Sequence, residues 1–385
     1  PPTNIMQMMR YAEQGSIKML WISCTNPAVS LPELPRVRKV LQKDDLFVIV
    51  QDAFMTETAA LADVVLPAAI WGEKTGCFTN ADRTVHISHK AVEPPGMARS
   101  DFDIFLDYAY RMDFRDKDGQ PLIKWQTPEQ AFEAWKICSK GRPCDYSGLS
   151  YEKLSRGTGI QWPCNEQYPN GCERLYTDGQ FNTAYSYCET VTHDLSTGGA
   201  MEPEQYQEND PGGKAIILAA DYETPDEQPD KKYPLWLTTG RLVYHFHTRT
   251  KTARSPQLNA AAPEVFVQIS EYDARENEIN EGDMVKIESH SGRVEAPARI
   301  GGIAPGLIFI PFHYGYWDGA ENFRAANELT KTSWDPVSKQ PHFKYAAVRI
   351  HKVEPGIAKT LSDTKDEVMD VMRSAFETVK QKLKI

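Results

Sequence analysis

The run Leu46-Phe47-Val48-Ile49-Val50 is apolar at every position and ends at Asp52. A strand with no polar face belongs inside a sheet covered on both sides, because a surface strand would alternate apolar and polar residues. Two further strands read from Ile17-Lys18-Met19-Leu20-Trp21-Ile22 and from Val64-Val65-Leu66. Helix signals accompany them over residues 3–14, with a stop at Gly15, and over residues 34–41, which prolines open. Strands alternating with short helices predict an α/β parallel-sheet domain over residues 1–112. In such sheets ligands bind beyond the carboxyl ends of strands, and Asn26 and Asp52 both lie there.

The pattern then changes twice. Residues 113–232 are rich in Gly, Pro, Cys and Tyr, and only residues 128–139 read as a helix. An irregular connecting and covering segment is expected there. Residues 233–353 carry short strands. Val265-Phe266-Val267-Gln268-Ile269 is one, Leu307-Ile308-Phe309-Ile310 another and Ala346-Ala347-Val348-Arg349-Ile350 a third. Residues 283–300 read as a hairpin with Ser291-Gly292 at its turn and Val285, Ile287, Val294, Ala296, Ala298 and Ile300 facing inward. Strands at this spacing predict a closed β-barrel. Residues 354–385 end the chain in an amphipathic helix, with Val368, Met372, Phe376, Val379 and Leu383 on one face.

A length of 385 residues with 41% hydrophobic content is enough for two or three cores. No run approaches the roughly 20 apolar residues that cross a bilayer. A formal charge of −10 argues against a nucleic-acid partner, since phosphate-backbone binding needs a basic surface. It leaves room for a small anion held by local donors. Seven cysteines without a CxxC pair fit neither a disulfide framework nor a complete metal site, and free thiols in a reducing, cytoplasmic compartment are expected.

Spacing alone yields no catalytic constellation: there is no HExxH, P-loop or GxGxxG. Polar residues nevertheless exceed folding needs in three places. Residues 238–252 hold five threonines, two histidines, two arginines and a lysine around Gly240, a composition suited to an anion. A second concentration runs from Gln51-Asp52 through Trp71-Gly72-Glu73-Lys74 to Asp82-Arg83. A third comprises Ala326-Asn327-Glu328-Leu329-Thr330 and Pro341-His342-Phe343-Lys344.

These segments carry a family resemblance. QDAFMTETAALADVVLPAAIWGEKTGCFTNADRTVHISHKAVEPPGMARSD, from Gln51 to Asp101, resembles a stretch found throughout the DMSO-reductase superfamily of molybdenum enzymes. YPLWLTTGRLVYHFHTRTKT, the INEGDMVKIESHSGRV hairpin and the AANELT and HFKYAAV segments are similar to that superfamily's C-terminal dinucleotide-binding domain, a double-psi β-barrel. The resemblance spans residues 3–352. It implies a Mo-bis(molybdopterin guanine dinucleotide) cofactor, for which the α/β part supplies a portion of a split binding domain. Asn26, Asp52, Lys74 and Asp101 then match positions that hold one guanine dinucleotide arm. Thr239, Gly240, Arg241, His245, His247, Thr248, His313, Asn327 and Lys344 match positions that grip the cofactor in the barrel. A carboxylate can accept from the N1 and N2 donors of guanine, and lysine or arginine can neutralise pyrophosphate.

The superfamily's [4Fe–4S] cysteine motif and its molybdenum-ligating residue have no counterpart in the sequence, so the catalytic residue is unassigned and a missing N-terminal half of the same subunit is expected to carry both. An electron-donor protein and a small anionic substrate are the other implied partners. IKMLWISCTNPAVSLPELPRVRKVL, from Ile17 to Leu41, resembles assimilatory nitrate reductases, which implies reduction of nitrate to nitrite by oxygen-atom transfer. Formate dehydrogenases share GIQWP and the His-aromatic-His-Thr loop, so formate oxidation is the alternative. A cofactor-free electron-transfer scaffold, as in respiratory NADH dehydrogenase, is a third reading. Cys77 and Asp82-Arg83-Thr84 depart from the usual family residues.

Overall fold

The computed structural model describes residues 4–181, 213–215, 217, 222–319, 323–335 and 338–353. Two compact units make up the chain, Pro1–Leu66 with Tyr222–Ile385, and Pro67–Asp221. The parallel strands therefore group with the barrel, a division that differs from the linear boundaries at 112 and 232 expected from composition. The expected helix at 354–385 lies outside the described residues.

The first unit opens with helix Ile5–Glu13, capped by Asn4, whose side chain accepts from Gln7 N at 3.0 Å. Met6, Met9 and Ala12 are buried on one face, and Gly15 ends the turn at φ 77°. Strand β1 (Met19–Ser23) pairs parallel with β2 (Phe47–Asp52) from Met19↔Phe47 to Ser23↔Gln51, and β3 (Val64–Pro67) lies beyond β2. Helix Leu34–Leu41 has Pro35 in its first turn and buries Leu34, Val37, Val40 and Leu41, the spacing of a single helix face. Val37, Val40 and Leu41 share a core with Val48 and Val50 of the apolar strand, and Leu34 packs with Val29 and Ala325.

In the second unit β4 (Gly76–Thr79) pairs antiparallel with β5 (Thr84–Ser88), and β5 with the short β6 (Ile160–Gln161). Residues expected to be an irregular cover thus contribute a strand and, at Pro128–Ser139, the expected helix. Arg83 secures the segment that returns to this sheet, donating to the carbonyls of Trp162, Cys172 (3.0 Å) and Glu173 (2.8 Å).

Six strands close the barrel: β7 (Leu235–Gly240), β8 (Val267–Ile269), β9 (Met284–Glu288), β10 (Arg293–Ile300), β11 (Leu307–Pro311) and β12 (Ala346–Lys352), in the order β10-β8-β11-β7-β12-β9. Pairs β7–β11 and β8–β10 are parallel and the rest antiparallel. Closure leaves no sheet edge unpaired. Alternate residues fill the interior, with Val285, Ile287, Val294, Ala296, Ile308 and Ile310 all at 0% exposure. The strand expected at 265–269 is shorter than its apolar run. Val265 and Phe266 are buried outside the ladder, and Phe266 packs on Phe309 at 6.1 Å between ring centroids.

Candidate functional site

Asn26 caps helix Pro27–Ser30 just past β1 and is 5% exposed. Its Nδ2 donates to Glu57 Oε2 at 2.8 Å and to Thr248 Oγ1 at 3.3 Å, while its Oδ1 accepts from Thr58 N (3.2 Å) and the Thr58 hydroxyl (2.7 Å). Residues 222 positions apart in sequence, Asn26 and Thr248, are so brought into contact. Asn327 reaches the same helix, its Nδ2 donating to Val29 O at 3.1 Å. Asp52 sits at the end of β2 and accepts from Phe54 N at 3.1 Å.

The loop after β7 is shaped by two buried histidines. His313, at 0% exposure, donates from Nδ1 to His247 O (2.6 Å), and its Nε2 accepts from Leu242 N (2.8 Å). One ring thus clasps both ends of residues 242–247, and the accepting Nε2 requires a neutral imidazole. The His245 ring lies tilted at 5.8 Å from it and is engaged at both nitrogens, by Thr252 Oγ1 (3.0 Å) and Ala262 O (2.6 Å). His247 itself is exposed, at φ 43°. Burial lowers the His313 pKa from its ordinary 6.5, over the opposing bond to the His247 carbonyl, and burial lowers that of His245 too.

A pH dependence follows. With folded pKa values depressed, the unfolded chain binds more protons just below 6.5, so this stabilisation is complete above that value and is lost as pH falls through it. The urea midpoint is expected to drop between about pH 7.5 and 5.5, and less so in His313→Asn. An identical drop in wild type and variant would contradict this.

The other end of the loop carries cations. Lys344 Nζ donates to Thr239 O, and the Thr239 hydroxyl donates to Phe343 O at 2.7 Å. Lys344 Nζ and the Arg241 guanidinium each lie 5.5 Å from the centre of the Phe312 ring. Burial lowers the Lys344 pKa, and the Arg241 charge lowers it further. Among the described residues neither cation has a carboxylate partner, and Arg241 makes no hydrogen bond. Two like charges held on one ring without a counter-ion fit an anionic group such as a pyrophosphate. Gly240 is needed for packing, since a Cβ there would clash with the edge of the Phe309 ring at Cε2. Arg249 behaves differently: 1% exposed, it is ion-paired with Asp318 and donates to Asn259 Oδ1 at 3.1 Å.

The second unit holds the remaining two predicted residues together. Lys74 is ion-paired with Asp101, the first residue of helix Asp101–Met112, which Ser100 caps by accepting from Asp103 N at 3.1 Å. Among the described residues no group of three His, Cys, Asp or Glu could hold a metal, and no helix is long and apolar enough to cross a membrane. Glu57, Thr58 and Phe312 were missed in the sequence reading. The signal for the first two is a polar run, Thr56-Glu57-Thr58, in an otherwise apolar segment after Asp52.

Comparisons with known proteins agree with this arrangement. Residues 235–347 match the family described as "Molydopterin dinucleotide binding domain", and residues 1–109 match "Molybdopterin oxidoreductase". A nitrate reductase of Symbiobacterium thermophilum is 39% identical over 353 residues, covering 91% of this chain and 43% of that protein. A formate dehydrogenase subunit alpha of Methanocaldococcus jannaschii is 36% identical over 340 residues, covering 88% and 44%. The chain thus spans under half the length of these curated relatives. Acetylene hydratase from Pelobacter acetylenicus shares the fold, with a TM-score of 0.63 at 18% identity over 90% of this chain and 46% of that one. With residues 1–109 and 235–347 matched in order, the second match containing the cation-bearing barrel loop, the chain belongs to the molybdopterin oxidoreductases.

Proposed function

We propose that this chain grips a Mo-bis(molybdopterin guanine dinucleotide) cofactor within an enzyme that reduces nitrate to nitrite. The observation that carries the cofactor reading is the uncompensated pair Arg241 and Lys344 on Phe312. Their charges would neutralise anionic oxygens of the group, and the Thr239 bond to Phe343 holds the strand end that presents them. His245 and His313, neutral and internally bonded, shape the loop without adding charge. Exposed His247 is the imidazole free to face a ligand. Within the second unit, the ion pair of Lys74 with Asp101 is taken as a cofactor-binding pair in its own right. When bound, the cofactor supplies the two-electron oxygen-atom transfer. A [4Fe–4S] cluster and an electron donor complete this reading.

Nitrate is favoured by the likeness of residues 17–41 and by the relative at 39% identity. Formate oxidation is the second reading, supported by the relative at 36%. The full polypeptide supplied with reduced viologen and nitrate is expected to form nitrite. Formate oxidation with an acceptor, and no nitrite from nitrate, would decide for the second reading.

A further inference from the structure

Glu57 lies at the densest polar junction of the first unit. Its side chain is 5% exposed, and among the described residues no lysine or arginine is ion-paired with it. Three N–H groups hold it instead: Oε2 accepts from Asn26 Nδ2 at 2.8 Å, and Oε1 accepts from Trp317 N at 2.9 Å and from Tyr316 N. A buried carboxylate with no cation in contact needs its lone pairs filled, so these contacts specify its place, while the Arg254 guanidinium acts on it only at longer range. The backbone is cut to fit. A Cβ at Gly315 would fall inside the Glu57 carboxylate and 2.8 Å from Val29 Cγ2.

The same contacts decide how Asn26 is oriented. Glu57 requires the amide nitrogen on its side, and Thr58, donating its N–H and hydroxyl, requires the oxygen on the other. The second amide hydrogen then points to Thr248 Oγ1. All four hydrogen-bonding positions of Asn26 are engaged. We propose that Glu57 is a positioning residue of the cofactor site: its carboxylate locks the Asn26 amide and, through it, ties the loop after β1 to Thr248 and to residues 315–317 of the barrel. This rests on the cofactor reading above.

Glu57→Gln tests it, because the new side chain has one acceptor where the carboxylate has two. Either Asn26 or the 316–317 backbone must then lose its acceptor. In the full polypeptide purified with its cofactor, guanine nucleotide released by acid is measured per folded protein, with the folded fraction taken from circular dichroism. Glu57→Gln is expected to lower retained nucleotide about tenfold or more, as loss of a supporting hydrogen bond does at other bound groups. Combined with Thr248→Val, it should lose no more than the worse single variant, since both cut one chain of contacts. Wild-type nucleotide content in Glu57→Gln, losses that multiply in the double variant, or a loss that only follows the unfolded fraction would each overturn the proposal. Should Glu57→Gln fail to fold, Gly315→Ala displaces the same carboxylate from behind, and wild-type content there would overturn it equally. A wild-type protein that releases no guanine nucleotide would bring down the cofactor reading and this inference with it, whereas the other failures leave that reading standing.

Discussion

Arg38→Ala is expected to destabilise the first unit by about 3–5 kcal/mol, the cost of leaving a buried charge without its partner. Arg38 donates to both oxygens of Glu328, at 2.8 and 2.9 Å, across 290 residues of sequence, and the side chains are 13% and 2% exposed. Burial works against the guanidinium charge, yet the Glu328 carboxylate raises the Arg38 pKa above its ordinary value. Tyr316 adds a hydroxyl to the same carboxylate at 2.8 Å. The pair fastens helix Leu34–Leu41 to the barrel beside Asn327, so its loss should also loosen the Asn26 loop. Urea unfolding measures the effect. Replacing both partners by apolar residues, Arg38→Met with Glu328→Leu, should recover part of the loss, because no charge then remains buried. A change below about 1 kcal/mol in Arg38→Ala would show that the pair is solvated like a surface salt bridge.

Lys344→Ala is expected to weaken cofactor retention by about 1.5–3 kcal/mol, roughly 10- to 100-fold, through loss of a charge-assisted bond to an anionic group. The local arrangement explains why the effect should be large. Lys344 is partly desolvated and repelled by Arg241, so the free protein holds it at a cost that a bound anion relieves. For the same reason Lys344→Ala should leave thermal stability of the cofactor-free protein unchanged or slightly raised. Lys74→Ala carries the same expectation for retention, although there Asp101 already offsets the charge and the loss should be smaller. Molybdenum and guanine nucleotide content per protein are the measurements. Wild-type content in both variants would remove these lysines from the site.

Much of the architecture was legible in the sequence for a simple physical reason: burial imposes periodicity. The apolar run at 46–50 appears as Phe47–Asp52 in the sheet, and helices at 34–41 and 128–139 have the bounds expected of them. The hairpin turned its expected set inward, with Val285, Ile287, Val294, Ala296 and Ala298 buried and Ile300 partly so. Gly292, placed at the turn by sequence, proves to be required by close packing as well, since a Cβ would lie 2.6 Å from Glu328 O. Periodicity said less of residues 67–221. Their strands are short, and the contacts of Arg83 that hold them are to carbonyls 79 to 90 residues away.

The polar residues of the candidate site follow the same division. Composition and resemblance selected the loops, because a cluster of cations, hydroxyls and imidazoles exceeds what folding needs. Which side chain stays exposed and which holds a neighbour was decided by tertiary structure alone. His245 and His247 are two residues apart in one motif, yet the first is buried and bonded at both nitrogens while the second is exposed. Arg241 and Arg249 divide likewise, the one without a carboxylate and the other ion-paired to Asp318. Glu57 stood in the sequence only as one polar residue of the family stretch, with nothing to give it a role, and its partners at 26, 316 and 317 meet only when the sheet loop packs on the barrel. Apolar periodicity is a local property and survives in one dimension, whereas a hydrogen-bond partner is chosen by whatever donor the fold brings within about 3 Å. The apolar strand at 46–50 and the family's loops therefore stand in the sequence itself, and the division of labour among their polar residues belongs to the folded chain.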